Sequence, residues 1–529
     1  MTDSIPCDAI GRRIICDEEY ATVRYVGSVP PTAGLWLGVE WDNPERGKHS
    51  GTYEGVQYFK CSHPTGGSFI RPKKADFGVD FISAVNKRYG LHNEVGSGDG
   101  NDEELILGNM PVEKVGFEDI KTKQSDLENL GDISVRECRV SHAGLNSDIH
   151  QRCPNIYSIN LSRNLLSSWS KVADITRQLN KLNSLDLSEN KLQILCRPAS
   201  LADAFTSLTE LALTKNGITW TEVLMCAPMW PNLKKLYLSY NAITHLERPV
   251  GVLQSLELLD LSYNALSDGN ELKYIGCLPR LETLMLLRTG ISSICFDDVG
   301  QGFKTSLFPA LKVLSVARCN VSKWSFINEL NKLQRLEHLI CTNNPLMDTE
   351  KNPETVRQLI IAKIGQLKML NKSAIVPDER KGAELDYRKL FGEEWLKEGG
   401  NADPEKNKPS ERFVVEHPRY QFLIEKYGAP EDGELKRQQP IALKNQLLCV
   451  TINCPDKTDQ KPIEKKLPES MTILKVKSLI SRLLKTSHMD FRLSYTSVKM
   501  SGKEIEMDCD LKPLNFYSIE NGDCILVRW

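Results

Sequence analysis

Leu233-Lys234-Lys235-Leu236-Tyr237-Leu238-Ser239-Tyr240-Asn241-Ala242-Ile243 is answered 23 residues later by Leu256-Glu257-Leu258-Leu259-Asp260-Leu261-Ser262-Tyr263-Asn264-Ala265-Leu266. Both spell one pattern: leucine, two variable residues, leucine, one variable, leucine, two variable, asparagine, one variable, leucine. Earlier copies begin at Ile156, Leu182 and Leu208, and later ones at Leu281, Leu311 and Leu336, with Thr289 and Cys319 at the asparagine position of the first two of these. The faintest expected copy is Val135-Cys138-Val140-Ala143-Leu145. From Ile156 onward the starts lie 26, 26, 25, 23, 25, 30 and 25 residues apart. Such a period marks a stacked array. The Leu-x-Leu segment alternates with period two, as a short strand with both leucines facing inward does. One unit cannot bury that face, so units stack and their strands line a concave surface. The asparagine amide can bond neighbouring backbone where each strand turns away.

The period and pattern resemble the leucine-rich repeat. The array is expected over residues 133–390 with its C-terminal cap. The 30-residue step predicts an insertion around Phe296–Phe308. Val356–Leu370 reads as an amphipathic helix of a cap that ends near Tyr387. Positions flanking the inward leucines should form the binding face. Its early part is polar, and its late part, Leu258, Met285, Leu287, Val313 and Ile340, is apolar. Tyr237, Tyr240, Asp260, Tyr263 and Met285 are the expected contacts with a folded partner, since exposed aromatics and Met beside charge suit protein binding. The competing reading places some of them beneath neighbouring loops.

A chain of 529 residues is too long for one core. A hydrophobic content of 40% and a net charge of -2 fit ordinary globular protein and give no overall pull toward nucleic acid or an anionic membrane. No apolar run is long enough for a membrane span. Met1–Pro6 does not read as a secretory signal. Fifteen scattered cysteines, several at leucine-like repeat positions, read as reduced small hydrophobes, so the cytoplasm is the expected setting.

Residues 8–75 have short apolar segments punctuated by glycine and proline, the pattern of a small barrel. Gly34-Leu35-Trp36-Leu37-Gly38-Val39-Glu40, Gly47-Lys48-His49-Ser50-Gly51, Tyr58-Phe59-Lys60-Cys61 and Phe69-Ile70-Arg71-Pro72 resemble the CAP-Gly domain in order. His49 and Ser50 depart from that family's Gly-Lys-Asn-Asp-Gly. The resemblance implies binding of acidic C-termini ending Glu-Glu-Tyr or Glu-Glu-Phe, notably that of α-tubulin. It also implies that Lys48, His49 and Arg71 face the acidic tail while Trp36 and Phe69 line a slot for its last ring. Without it, Trp36 and Phe69 read as barrel core. Residues 45–74 carry six Lys or Arg against two Glu, a basic surface suited to such a tail.

Residues 76–132 are expected to be a linker, with Gly96–Glu104 as the part that lets barrel and array move separately. Apolar residues near Leu105 and Phe117 are expected to open the array's cap. Residues 391–440 are charged and rich in Pro and Gly and read as a second linker, with a short helix at Arg419–Tyr427. In 441–529, Leu447–Cys454 and Ile463–Thr472 read as strands, Leu474–Leu484 as a helix, and Phe491–Tyr495 and Cys524–Trp529 as strands. That order resembles the ubiquitin-like β-grasp, and ending at Trp529 it carries no Gly-Gly tail for conjugation. The fold class is therefore multidomain α/β: a CAP-Gly barrel, a repeat solenoid and a ubiquitin-like domain.

No nucleophile elbow, zinc-protease helix or phosphate loop occurs, and Cys449 and Cys454 are joined by no second pair with metal spacing. No enzyme activity, cofactor or metal is expected. The three units in this order resemble the tubulin-folding cofactors, and the resemblance implies a place at the cytoskeleton as well as in the cytoplasm. It also implies a chaperone that binds α-tubulin and, with other tubulin-folding cofactors, assembles or dismantles the αβ-tubulin dimer. An adaptor that only tethers microtubules, or one that delivers tubulin to the proteasome through its ubiquitin-like end, is the alternative.

Overall fold

Ten short strands run parallel through the middle of the chain, each bonded to the next. They are Asp132–Ser134, Ser158–Asn160, Ser184–Asp186, Glu210–Ala212, Lys235–Tyr237, Leu258–Asp260, Thr283–Met285, Val313–Ser315, His338–Ile340 and Met369–Leu370. Ser373–Ala374 turns back antiparallel and completes an 11-stranded sheet. The computed structural model describes residues 5–89, 106–107, 110–111, 127–435 and 447–529, except 146, 301, 350–351, 458–459, 486–490, 498–503 and 518. The central residue of each full strand, from Ile133 through Leu236 to Leu339, is buried and pairs in register with its equivalents.

The asparagines do the work expected of them. Asn264 is buried, and its amide donates to the carbonyls of Leu238 and Leu261 at 2.9 Å each. Its oxygen accepts the N–H of Asn241 at 3.0 Å. Asn241, Asn190 and Asn164 repeat the arrangement. Where Thr289 and Cys319 replace asparagine, both reach the carbonyl of Leu286, at 3.1 Å, and Cys319 also that of Ala317, at 3.6 Å.

The first repeat sits five residues earlier than its pattern implied. Leu130, Ile133 and Val135 hold the three leucine positions, and Cys138 holds the asparagine position. Val135-Cys138-Val140 has the same spacing, so sequence alone supported the wrong register. The C-terminal helix also ends early, at Lys363 rather than Leu370, because the array adds the parallel strand Met369–Leu370.

Two expected linkers hold structure instead. Val79–Asp80 pairs with Val140–His142, and Phe81–Tyr89 is a helix. Asp80 starts that helix by accepting the Ser83 N–H at 2.8 Å, and Phe81, Ile82, Ala84 and Val85 are buried in the array's core. The helix is thus the array's N-terminal cover. Gly96–Glu104, Leu105 and Phe117 lie outside the described residues, but they follow this helix, so they do not separate barrel from array. In 391–440, Gly392–Lys397, Glu411–Glu416 and Tyr420–Tyr427 are helices packed with Pro377–Leu390 around Tyr387, Trp395, Phe413, Tyr420 and Leu423. Glu384 is 1% exposed there. Burial raises its pKa, but bonds from Lys426 and Arg419 outweigh that and hold it below the usual carboxylate range.

The barrel is a meander of Arg13–Cys16, Glu19–Ser28, Leu35–Trp41 and Gly67–Ile70, with its core on Ile14, Val23, Leu37 and Val39. It docks on the first repeats. Tyr20 donates its hydroxyl to the Arg163 carbonyl at 3.1 Å, Asp42 pairs with Lys191 at 2.9 Å, and Asp76 pairs with Arg139 at 2.5 Å.

Pro430–Trp529 is a separate unit. Its sheet has the order Ile463–Pro468, Leu447–Asn453, Cys524–Arg528, Arg492–Thr496, Glu504–Glu506, with Leu447–Asn453 and Cys524–Arg528 parallel. The helix Ile473–Leu483 covers it through Ile473, Val476 and Ile480. Glu504–Glu506 is an edge strand too short to show in the sequence. No helix among the described residues is long and apolar enough to cross a membrane.

Candidate functional site

A groove of about 440 Å³ opens on the barrel, lined by Trp36, Lys48, His49, Tyr53 and Phe69 among others. That volume falls in the roughly 300–1,000 Å³ range of small-ligand sites. Backbone constraints build it. Gly47 packs so closely that a Cβ would lie 1.9 Å from the Thr65 carbonyl oxygen. Gly51 has φ +96° and faces the Phe59 carbonyl at 2.0 Å by the same measure. Only glycine fits either place, so Lys48 and His49 are carried on a loop with fixed ends.

Phe69 is the hub of the groove's rings. His49 lies 5.2 Å from it, Phe59 5.4 Å, Tyr58 5.5 Å and Tyr53 6.3 Å, centroid to centroid. Phe69 and Trp36 are half-buried, between the core reading and the slot reading. Trp36 donates its indole N–H to Thr32 at 2.8 Å. Arg71 does not line the groove. Its guanidinium lies 3.7 Å from the Trp36 ring centroid and donates to the Ala33 carbonyl at 2.9 Å, so it holds the Trp36 loop.

Lys48 is exposed and has no ion-pair partner among the described residues. His49 Nδ1 accepts the Gly51 N–H at 3.0 Å. Burial, then the charge of Lys48, holds its pKa below the usual imidazole value. The ring is therefore neutral near pH 7 with its proton on Nε2, and it can donate one hydrogen bond.

The second set of candidate residues divides. Tyr237, Asp260 and Met285 stand half-buried on the concave face. Tyr240 and Tyr263, expected beside them, sit instead in the turn just past each strand, with φ +57° and +56°. Their rings stack, with centroids 4.1 Å apart and planes 12° apart. The sequence spaced them one repeat apart but did not show that they leave the strand.

Among the described residues one group could bring metal-ligand atoms together, Glu394, Glu416 and His417, within 4.8 Å of one another. Lys363 donates to the Glu416 carbonyl at 2.9 Å and Tyr387 Oη lies 2.5 Å from His417 Nδ1. The ammonium already supplies positive charge there, so the group does not suit a cation.

The CAP-Gly domain family matches residues 10–75, the leucine rich repeat residues 206–266, and the ubiquitin-like domain residues 447–528. A Xenopus laevis protein named tubulin-specific chaperone E is 60% identical over 100% of both chains. The chain belongs to the tubulin-specific chaperone E family. The Homo sapiens member is 56% identical over 100% of both chains. The Drosophila melanogaster member is 30% identical over 98% of each. Identity along the full length covers all three units, including the helices at 391–427 that composition hid.

Proposed function

We propose that this chain binds α-tubulin, takes the C-terminal tail of that subunit in the barrel groove, and works with other tubulin-folding cofactors to assemble or dissociate the αβ-tubulin dimer. The ammonium of Lys48, which has no ion-pair partner among the described residues, beside a groove centred on Phe69 carries the reading. A C-terminal Glu-Glu-Tyr offers carboxylates to Lys48 and a ring to the aromatic lining. The neutral His49 supplies a directional donor rather than a second charge. Tyr237, Asp260 and Met285 on the concave face are the proposed contacts with the folded body of the subunit. Because the barrel is docked on the array, tail and body are gripped at a fixed separation. The tethered search that a mobile linker would provide is not needed.

The test is fluorescence anisotropy on the full chain with a labelled peptide ending Glu-Glu-Tyr. Lys48→Ala should weaken binding about ten- to a hundredfold, the scale of a hydrogen bond to a charged group. Equal affinity for a peptide lacking the terminal aromatic residue would overturn the groove reading. Incubation with purified αβ-tubulin then follows dimer dissociation. Peptide binding without any dissociation by the chain and its partner cofactors would leave a tethering adaptor.

A further inference from the structure

The turn position that holds Tyr240 and Tyr263 recurs in every repeat. Glu137, Arg163, Glu189, Lys215, Tyr240, Tyr263, Arg288, Arg318 and Asn343 occupy it, each with a positive φ between +53° and +59°. Their N–H groups bond the next repeat in unbroken sequence. Arg163 donates to Ser188, Glu189 to Thr214, Lys215 to Ser239, Tyr240 to Ser262, Tyr263 to Leu287, Arg288 to Ala317 and Arg318 to Thr342, at 2.7 to 3.1 Å. One edge of the array is therefore a rigid row of side chains at strand spacing.

The row begins under the barrel, where Tyr20 bonds the Arg163 carbonyl. Charges in its first part cancel. Glu137 pairs with Arg163 at 2.8 Å, and Glu189 pairs with Arg136 at 2.7 Å. Beyond Lys215 the character changes. The stacked pair Tyr240–Tyr263 is followed by Arg288, 5.9 Å from the Tyr263 ring, and Arg318. Both arginines are exposed, and among the described residues neither has an ion-pair partner. Unpaired guanidinium groups beside aromatic faces suit carboxylates carried on an extended chain.

We propose that this aromatic and basic row binds an acidic, extended segment of the same partner whose C-terminus occupies the barrel groove, upstream of the residues held there. This rests on the groove reading given above. Charge complementarity and the continuity of the row with the barrel's docking edge select that occupant. Arg163 to Tyr240 is three steps of roughly 4.8 Å, and Arg163 to Arg318 six, about 29 Å in all. About nine residues of extended chain cover the longer span. The second contact is intramolecular once the terminus is held, so it adds affinity even if weak alone.

The experiment uses the full chain and three labelled peptides: a four-residue peptide ending Glu-Glu-Tyr, a 20-residue peptide with a glutamate-rich segment before the same end, and the same 20-mer with those upstream glutamates replaced by serine. The acidic 20-mer should bind at least tenfold tighter than the short peptide, the serine version should not, and the gain should shrink as salt rises. In Arg288→Glu/Arg318→Glu the gain should vanish while short-peptide affinity stays unchanged. Tyr240→Asn/Tyr263→Asn should reduce it. Both substitutions are tolerated by the turn, since Glu189 and Asn343 hold the same position with φ +58° and +56°. No gain on the unmodified chain, or a gain that survives in the double arginine variant, overturns the proposal. Failure of the short peptide to bind at all would instead sink the groove reading. The row would then be judged by whether the double arginine variant weakens binding of an acidic 20-mer lacking the terminal tyrosine.

Discussion

Asp42 holds Lys191 at 2.9 Å across the seam between barrel and array, and the same carboxylate grips Arg13, whose side chain is 2% exposed. The two contacts carry different weight. Lys191 is exposed, so Lys191→Ala should cost under about 1 kcal/mol. Asp42→Ala leaves a buried guanidinium with the Thr22 hydroxyl but no counter-charge, and should cost about 3 kcal/mol, the low end for breaking a buried pair. Urea unfolding of both variants checks the ranking. Equal costs would mean that Arg13 finds another partner.

Asn264 bonds backbone of two repeats at once. Asn264→Ala leaves the carbonyls of Leu238 and Leu261 and the N–H of Asn241 without that partner. At about 1–3 kcal/mol for leaving a buried polar group unsatisfied, the loss should be at least about 2–3 kcal/mol. Thr289→Ala removes the bond to the Leu286 carbonyl and a weaker contact with the Cys319 thiol, and should cost about 1 kcal/mol. Thermal unfolding of the two variants side by side tests the contrast.

The array was legible because its leucines and asparagines answer to one period, and Asn164, Asn190, Asn241 and Asn264 each bond the backbone of their own repeat and of the one before. The first repeat slipped because Cys138 replaces the asparagine that would have fixed its register. The helices at 391–427 were hidden for a different reason. Their core uses Trp395, Phe413, Tyr420 and Leu423, single large side chains spread thinly through a charged sequence. Buried charges such as Glu384 and Lys363 pair only across the fold, so composition counted them as solvated. In the barrel, the Gly47–Gly51 motif located the groove. The contacts of Arg71 were not legible, because its stacking on Trp36 depends on strands far apart in sequence.

His417 gives the helical layer an acid sensitivity. Burial, then the nearby Lys363, lowers its pKa to about 3. Its unfolded value is about 6.5. Between these values the unfolded chain holds a proton that the folded chain lacks, so stability falls as pH drops from about 6.5 toward 3. At pH 4.5 the loss from this group should be about 2–3 kcal/mol. His417→Gln keeps an acceptor for the Tyr387 hydroxyl and cannot titrate. Its urea midpoint should change less between pH 7 and pH 4.5 than that of the parent chain. An identical pH response in the two proteins would assign the sensitivity elsewhere.

The helix Phe81–Tyr89 should decide where a stable array can begin. Phe81 and Val85 are fully buried against the first repeats, and Tyr89 both accepts the Ser134 N–H at 2.8 Å and donates to the Ser134 carbonyl at 3.2 Å. An array started at residue 127 loses this cover and exposes the Ile133 and Val135 end of the core. Burial of a Phe, an Ile and a Val at about 1.5–3 kcal/mol each puts the deficit on the order of 5 kcal/mol. An array started at residue 77, with 92–124 replaced by a short Gly-Ser connection, should retain the cover. The two can be compared by thermal melting and by sedimentation, which detects association through an open repeat end. Matching melting temperatures, with both proteins monomeric, would show that the helix is an accessory to the array and not its N-terminal cap.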